Sequence, residues 1–314
     1  MAGASVLPCP ARAVWGARVN SPVHYEEAQC KTALNRVAGM GFQWSLNPYR
    51  GCVHSCHYCF ARRFHGYLNL GAGQDFSSVI TVKVNLPEVL RWELSAPTWR
   101  RETVALGTAT DPYQPIEGKY RLTRRALEAL HRYRTPVGVV TKGTMVVRDV
   151  DVLADMAARE GCTVCFSVTT LDHDLWQQLE PGTPPPWQRL RAMERLRAAG
   201  VNAGVLLAPV VPGITDSLDN LSAVVRAAAQ HGARFLGTQT LYLKEGTREH
   251  FLDFAQREFP GAIPLYERLY PRAYAPRWYQ DRLGQQVAGL KVLYGLGDER
   301  PRVDENRPVQ LAFP

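Results

Sequence analysis

Short apolar runs alternate with longer amphipathic segments from residue 44 onward. Leu122–Tyr133 carries apolar residues on one helical face and arginines on the other, and Pro185–Ala199 is followed by Gly200, a frequent helix terminator. Helices placed between apolar runs predict parallel strands joined by crossover helices. The strand candidates are Trp44–Leu46, Val79–Val84, Thr103–Leu106, Val137–Thr141, Thr163–Thr169, Gly204–Ala208 and Arg234–Leu241.

This alternation predicts an α/β fold, specifically a partial (β/α)6 barrel of the TIM type, because about six units are present rather than eight. We expect an irregular N-terminal extension over residues 1–43, the barrel core over 44–245 and a C-terminal helical segment over 246–314. Catalytic and ligand-binding residues in such folds lie at the carboxyl ends of the strands. The residues that follow each strand are therefore the candidates for a functional site.

Composition narrows the classes of protein that fit the chain. Its 314 residues are 46% hydrophobic and 21% charged, which is enough to bury a core without disulfides. A net charge of +8 leaves nucleic acid and anionic substrates open as partners. No run of about 18 apolar residues and no apolar leader is present, so we expect a cytoplasmic protein that does not bind membranes.

Three of the seven cysteines lie within eight residues, directly after the first barrel strand. The run reads Asn47-Pro-Tyr-Arg-Gly-Cys52-Val-His-Ser-Cys56-His-Tyr-Cys59-Phe-Ala-Arg62. Thiolates on one loop can converge on a metal centre, and soft sulfur selects zinc or an iron–sulfur cluster. Structural zinc needs four ligands, so His54 or His57 would have to complete the set from inside the same loop. A 4Fe–4S cluster on three cysteines leaves one iron open, and the spacing favours this alternative.

The spacing Cys52-x-x-x-Cys56-x-x-Cys59, with Tyr58 before the last cysteine, resembles the radical S-adenosylmethionine (SAM) superfamily. The flanking residues resemble the branch related to spore photoproduct lyase. The resemblance implies that a 4Fe–4S cluster on these cysteines binds SAM through its open iron. It further implies that reductive cleavage yields a 5′-deoxyadenosyl radical, which abstracts hydrogen from a substrate in the barrel. An electron donor such as a flavodoxin or ferredoxin is implied as a partner.

The same resemblance implies SAM-binding residues at the other strand ends, in addition to Tyr58. Lys142 closes the third strand and would hold the SAM carboxylate, whereas the alternative is a surface lysine. Ser167 lies on the polar face of the fourth strand, where it can contact the ribose or the carboxylate. The superfamily's usual Gly-Gly-Glu is absent after the second strand. Thr108 or Thr110 would therefore bind the SAM amino group, unless this segment is a simple turn capped by Asp111.

Three further positions complete the implied SAM site. Arg189 follows the fourth strand, where the superfamily often places a carboxylate-binding arginine, but three nearby arginines leave a solvated helix face as an equal alternative. Val210 and Val211, in the turn after the fifth strand, are candidates for the apolar walls around the adenine.

One departure from the resemblance concerns the hydrogen donor. Spore photoproduct lyase uses a cysteine between the second and third core strands, and residues 103–143 here contain none. Activity on thymine photoproducts is therefore doubtful. Cys165 is the interior substitute, although a small buried core residue is its more ordinary role.

Residues 265–282 interleave aromatic side chains with arginines. Aromatic rings stack on bases and arginines neutralise phosphates, which is what single-stranded nucleic acid binding requires. We favour the alternative of a helical cap whose rings close the barrel and whose arginines extend into water. The aromatic residues are Tyr266, Tyr270, Tyr274, Trp278 and Tyr279, and the arginines are Arg268, Arg272, Arg277 and Arg282.

Two functions from different classes follow from the sequence. The first is a radical SAM enzyme whose substrate is unassigned, with nucleic acid as one candidate. The second is a zinc-stabilised nucleic-acid-binding protein without catalytic activity. Metal analysis separates them, because the first requires iron and sulfide and the second requires zinc.

Overall fold

A computed structural model describes residues 22–68 and 70–297, which form two sheets and a set of surrounding helices. The strands of the described residues are β1 (His24–Ala28), β2 (Leu34–Arg36), β3 (Trp44–Leu46), β4 (Tyr49–Arg50), β5 (Val79–Lys83), β6 (Val104–Leu106), β7 (Val137–Thr141), β8 (Cys162–Ser167), β9 (Asn202–Val210) and β10 (Leu236–Thr240). The α-helices are α1 (Asp75–Ser78), α2 (Leu86–Ser95), α3 (Glu117–Tyr120), α4 (Leu122–Arg132), α5 (Val150–Arg159), α6 (His173–Leu179), α7 (Pro186–Ala198), α8 (Leu218–Gln230), α9 (Thr247–Glu258), α10 (Ile263–Leu269) and α11 (Arg277–Leu293). Short 3-10 helices cover Phe60–Leu68, Thr144–Asp149 and Pro260–Ala262.

The larger sheet contains the barrel. Strands β3, β6, β7, β8, β9 and β10 lie side by side in chain order, and every neighbouring pair is parallel. Parallel neighbours require crossover connections, which the helices between the strands supply. The predicted partial (β/α)6 barrel is confirmed. Among the described residues no helix has both the length and the apolar character that crossing a membrane demands.

The main core lies between these strands and the outer helices. In β8, Val164 and Phe166 are fully buried in this core, whereas Ser167 forms its hydrogen bonds on the opposite face. The alternation of β8 thus directs its apolar side chains outward to the helices and its small polar ones into the barrel, as predicted.

The prediction of an irregular segment up to residue 43 is wrong for its described part. β1 pairs in parallel with β5, and β2 pairs antiparallel with β3 at the edge of the barrel. The candidate strand at 79–84 accordingly lies outside the barrel, in a small sheet with β1 and β4. These edge strands expose most of their side chains, so they carry no apolar alternation that sequence inspection can detect. The predicted boundaries of the three segments, 1–43, 44–245 and 246–314, stay predictions.

The C-terminal helices form a second core beside the barrel. Tyr266, Tyr270 and Tyr279 are at most 2% exposed, and their hydroxyls donate to groups of the loops that follow β9 and β10. For these three rings the predicted helical cap is confirmed. Tyr274 and Trp278 differ, since both are exposed.

Candidate functional site

The cysteine loop follows β4 and lies at the carboxyl end of β3. Cys52 and Cys56 are buried, whereas Cys59 is partly exposed. Tight turns shape the loop: the amide of Ser55 donates to the Cys52 carbonyl and the amide of Cys59 to that of Cys56. Burial raises the pKa of the Cys56 thiol to about 12, and neighbouring Cys59 adds to the increase although Lys142 opposes it. A bound metal centre has to supply the positive charge that ionises such a thiol.

Two glycines let the neighbouring backbone approach this loop closely. Gly51 has φ +77°, and a Cβ there would lie 2.7 Å from the carbonyl oxygen of Val79. A Cβ on Gly182 would lie 2.1 Å from the carbonyl oxygen of Val53. The amide of Gly182 also donates to the carbonyl of His54 at 3.1 Å. The segment after α6 therefore braces the cysteine loop, and a side chain at either glycine would displace it.

Arg62 provides a test of whether these residues fit an anionic cluster. Its guanidinium is 1% exposed and donates to the carbonyls of Cys56 and Ser55 at 2.9 Å each. It also donates to the carbonyls of Ala72 and Gly73. Burial lowers its pKa, while the three cysteines act in the opposite direction. Among the described residues no carboxylate forms a salt bridge with it, so the residues fit an anionic cluster on the three thiolates, which would supply the negative charge opposite this buried guanidinium.

The two histidines of the loop are engaged outside it. His54 Nδ1 lies 3.2 Å from Asp111 Oδ2, and His57 Nδ1 lies 3.2 Å from His250 Nε2. Burial, with a contribution from Arg62, lowers the pKa of His57 to about 3, so its ring is neutral. In residues 22–68 and 70–297 no three His, Cys, Asp or Glu side chains are grouped to hold a single metal ion. His54 and His57 thus have partners outside the loop, and the three cysteines are the donors that the loop itself offers. Three thiolates are the donor set that an iron–sulfur cluster with one open iron would use.

Lys142 and Ser167 meet at neighbouring strand ends. Lys142 Nζ donates to Ser167 Oγ at 2.9 Å and lies 5.5 Å from the centre of the Tyr58 ring. Burial opposes the charged form of Lys142, but Cys56 and Glu180 outweigh it and raise its pKa. The surface alternative for Lys142 is thus wrong, because its ammonium lies beside the cysteine loop. Its contact with SAM stays a prediction, as does that of Ser167.

Tyr58 and Arg189 converge on one buried carboxylate. The Tyr58 hydroxyl and the Arg189 guanidinium both donate to Glu180, and Arg189 Nη1 also donates to the Ser167 carbonyl at 2.9 Å. Arg189 is 0% exposed, so the solvated-face alternative is wrong. Burial would raise the pKa of Glu180, but Arg189 and Lys142 hold it at about 2. Since Arg189 is bonded through all three nitrogens to protein acceptors, it positions Glu180 rather than offering a free cation to SAM.

The threonines after β6 support the cysteine loop. Thr110 Oγ1 donates to the Gly51 carbonyl at 2.6 Å, and Thr108 Oγ1 accepts from the Asn47 side chain at 3.2 Å. Thr110 is 6% exposed, and its hydroxyl proton is used in the bond to Gly51. The prediction that Thr108 or Thr110 binds the SAM amino group stays a prediction. Asn47, whose Oδ1 accepts from the Ala109 amide at 2.8 Å, is a positioning residue that sequence reasoning missed.

Asp111 joins three parts of the site. Its carboxylate accepts from the Tyr113 amide, as a turn cap does, and from Thr141 Oγ1 and the Lys142 amide at the end of β7. Burial would raise its pKa, but His54 and these hydrogen bonds hold it below its ordinary value. The capping alternative is therefore confirmed in part, since the same carboxylate also orients the cysteine loop through His54.

Val210, Val211 and Cys165 have no exposed surface. Val210 belongs to the main core and Val211 to the C-terminal core, both at 0% exposure. Both side chains pack against protein here, and the prediction that they wall the adenine stays a prediction. Cys165 is also 0% exposed, and burial raises its pKa to about 12. Its placement is that of a core residue, and its role as hydrogen donor stays a prediction.

We expect the remaining cysteines to be dispensable for metal binding. Replacing Cys9, Cys30, Cys162 and Cys165 together with alanine should leave the iron content unchanged, because all four lie far from the cysteine loop in sequence. Iron and sulfide analysis of the anaerobically reconstituted protein checks this. A loss of one third or more of the iron would show that another cysteine is a ligand.

The fold and this site define a partial barrel with a three-cysteine loop at its carboxyl edge. Spore photoproduct lyase, solved in complex with dinucleoside spore photoproduct, superposes with a TM-score of 0.65 at 15% identity, covering 86% of this chain and 79% of that one. Residues 46–223, more than half of the chain, match the radical SAM superfamily. The chain therefore belongs to the radical SAM superfamily.

The chain is also similar to two proteins of other organisms. An uncharacterized protein of Mycobacterium tuberculosis is 41% identical over 300 residues, which cover 93% of this chain and 88% of that protein. A radical SAM Nα-GlyT isomerase of Pseudomonas phage M6 is 26% identical over 230 residues, covering 72% of this chain and 42% of the phage protein.

Proposed function

We propose that this protein is an enzyme that binds a 4Fe–4S cluster through Cys52, Cys56 and Cys59 and uses it to cleave SAM. When bound, the reduced cluster and SAM together supply a 5′-deoxyadenosyl radical that takes a hydrogen atom from the substrate. The observation that carries the proposal is that Lys142 lies at the same sheet edge as the cysteine loop, with its ammonium 5.5 Å from the centre of the ring of Tyr58, a residue of that loop.

Each polar residue of the site has a task in this proposal. Lys142 holds the SAM carboxylate through its ammonium, and Ser167 orients that ammonium while its own hydroxyl donates to the Ala208 carbonyl at 2.7 Å. Glu180 fixes the Tyr58 ring beside Lys142. Arg62 offsets the charge of the cluster. The chain thus supplies binding and orientation, and the cofactors supply the radical.

The partners follow from the same chemistry. Cleavage of SAM consumes one electron, so we propose an external donor such as a flavodoxin or ferredoxin. Cys59, which is partly exposed, marks the side of the cysteine loop nearest to solvent. The substrate stays unassigned within this proposal, and nucleic acid is the class supported by the fold of spore photoproduct lyase.

The test is product formation under anaerobic conditions. Protein reconstituted with iron and sulfide, then reduced with dithionite in the presence of SAM, should release 5′-deoxyadenosine even without substrate. A colourless protein that retains zinc and yields no 5′-deoxyadenosine would favour the zinc-stabilised binding protein instead.

Substitution of Lys142 tests the SAM-binding part separately. A charge-assisted hydrogen bond in a partly desolvated site contributes about 1.5–3 kcal/mol, so Lys142→Ala should weaken SAM binding by about ten- to a hundredfold. Lys142→Arg should restore only part of this, because the planar guanidinium needs a different geometry. SAM titrations with matched iron contents measure the effect.

The control for Lys142 is Lys119→Ala, which removes an exposed lysine elsewhere on the protein. Equal SAM affinities for the wild type, both Lys142 variants and this control would remove Lys142 from the proposed site while leaving the cysteines in place.

A further inference from the structure

A set of exposed aromatic and cationic side chains lies on the C-terminal segment, outside the cofactor site. Tyr274 is 53% exposed and Trp278 is 59% exposed. The ring centres of Tyr242 and Tyr274 lie 4.6 Å apart, and the Arg282 guanidinium lies 5.7 Å from the centre of the Trp278 ring. We call Tyr242, Tyr274, Trp278, Arg282 and the exposed Arg272 the aromatic–arginine surface.

The backbone beneath these side chains is firmly held. Tyr242 and Tyr274 form an antiparallel bridge, and the amide of Leu243 donates to the Ala273 carbonyl at 2.8 Å. The buried Tyr279 donates to Asp216 at 2.6 Å and anchors the start of α11 next to Trp278. The two exposed rings therefore project from an ordered support. Their exposure is not the result of a loose chain end.

The charges of this surface are available to a ligand. Arg277 is paired with Asp281 at 3.3 Å. Within residues 22–68 and 70–297, Arg272 and Arg282 form no salt bridge to a carboxylate. Arg282 instead lies over the rings of Trp278 and Tyr279. A cation over the exposed Trp278 ring, with a second exposed arginine two residues before Tyr274, favours a ligand that is both anionic and aromatic.

The aromatic–arginine surface borders the candidate site. β10 is parallel to β9 and β9 is parallel to β8, so Tyr242, two residues after β10, lies at the same sheet edge as Ser167. Thr247, five residues further on, donates through its hydroxyl to the carbonyl of Cys59 at 3.3 Å. Five residues span at most about 18 Å, which places Tyr242 within that reach of the cysteine loop.

We propose that the aromatic–arginine surface binds single-stranded nucleic acid and guides it to the cofactor site. Bases of any sequence stack on exposed aromatic rings, and arginines neutralise the phosphates between them. In a duplex the bases stack on one another, so they are not free to stack on the rings of Tyr274 and Trp278. The guiding role rests on the proposed function, whereas the binding itself does not.

The test uses fluorescence anisotropy with a labelled single-stranded oligothymidylate as the probe. Tyr274→Ala and Trp278→Ala should each weaken binding by about 5- to 100-fold, because each removes one stacking platform. Arg272→Gln should lower the slope of log affinity against log salt by about 0.7, the value for one lost phosphate contact on a single strand. Both aromatic side chains are exposed, so their replacement leaves the core intact.

The matched control is Trp92→Ala, which removes a tryptophan that is 75% exposed on α2. Binding that is weakened equally by Trp92→Ala, or left unchanged by Tyr274→Ala and Trp278→Ala, would overturn the proposal. Equal affinity for duplex DNA or equal competition by polyglutamate would also overturn it, because either result shows attraction to any polyanion. The assay needs neither SAM nor reductant, so its result does not depend on whether the protein cleaves SAM.

Discussion

Replacing Cys56 with alanine is expected to remove the cluster and with it all release of 5′-deoxyadenosine. Cys56 is buried and is the middle cysteine of the loop. Its carbonyl accepts hydrogen bonds from the Cys59 amide and from Arg62. Two thiolates cannot replace the three that the proposed cluster requires. Iron, sulfide and 5′-deoxyadenosine are measured on the same anaerobic preparation.

The matched control for this variant is Cys165→Ala. Cys165 is buried like Cys56 but lies on β8. Burial alone raises the pKa of its thiol. It should keep its full iron content. A Cys56→Ala protein with the iron and sulfide of the wild type would contradict the assignment of the ligands.

The largest expected loss of stability comes from Arg189→Met. Arg189 and Glu180 form a fully buried ion pair, and removing one partner of such a pair typically costs about 3–5 kcal/mol of unfolding free energy. The cost arises because the carboxylate stays buried with less charge opposite it. Urea denaturation of the loaded protein under anaerobic conditions measures the change.

Arg191→Met is the control, since it removes an exposed arginine from the same helix. The double variant Glu180→Gln/Arg189→Met should lose less stability than the sum of the two single changes, because neither member of the pair is left charged without the other. If Arg189→Met and Arg191→Met had equal unfolding free energies, the buried pair would not contribute as described.

The sequence predicted the parts of the site that lie close together along the chain. Cys52, Cys56 and Cys59 are local, so their spacing alone indicates a shared centre. Lys142 and Ser167 end neighbouring parallel strands, and the alternation of β8 is enough to place Ser167 inside the barrel. The contact between Lys142 and Ser167 was predictable because strands that follow one another in the chain are neighbours in the sheet.

Contacts between distant segments could not be predicted in the same way. Thr110 and Gly51 are 59 residues apart, and Tyr58 and Glu180 are 122 apart. Arg189 looked like part of a charged helix face because its partner Glu180 lies before the helix, beyond the reach of helical periodicity. Nothing in a single sequence tells which of several arginines turns inward.

The edge strands and Val210 show a second limit of structure prediction from the sequence. β1 and β2 are held by pairing with their neighbours and by Glu93, whose carboxylate accepts from the amide of Leu34 at 2.9 Å. Such strands need no apolar pattern of their own. Val210, in contrast, follows the pattern of a strand end but is turned into the core by packing.

We propose that the three cysteines hold a cluster whose open iron binds SAM. The most direct measurement is the electron paramagnetic resonance spectrum of the dithionite-reduced protein before and after addition of SAM. We expect the signal of one reduced 4Fe–4S cluster, and we expect this signal to change when SAM is added, because a new ligand reaches the iron. A reduced cluster whose spectrum is the same with and without saturating SAM would contradict it.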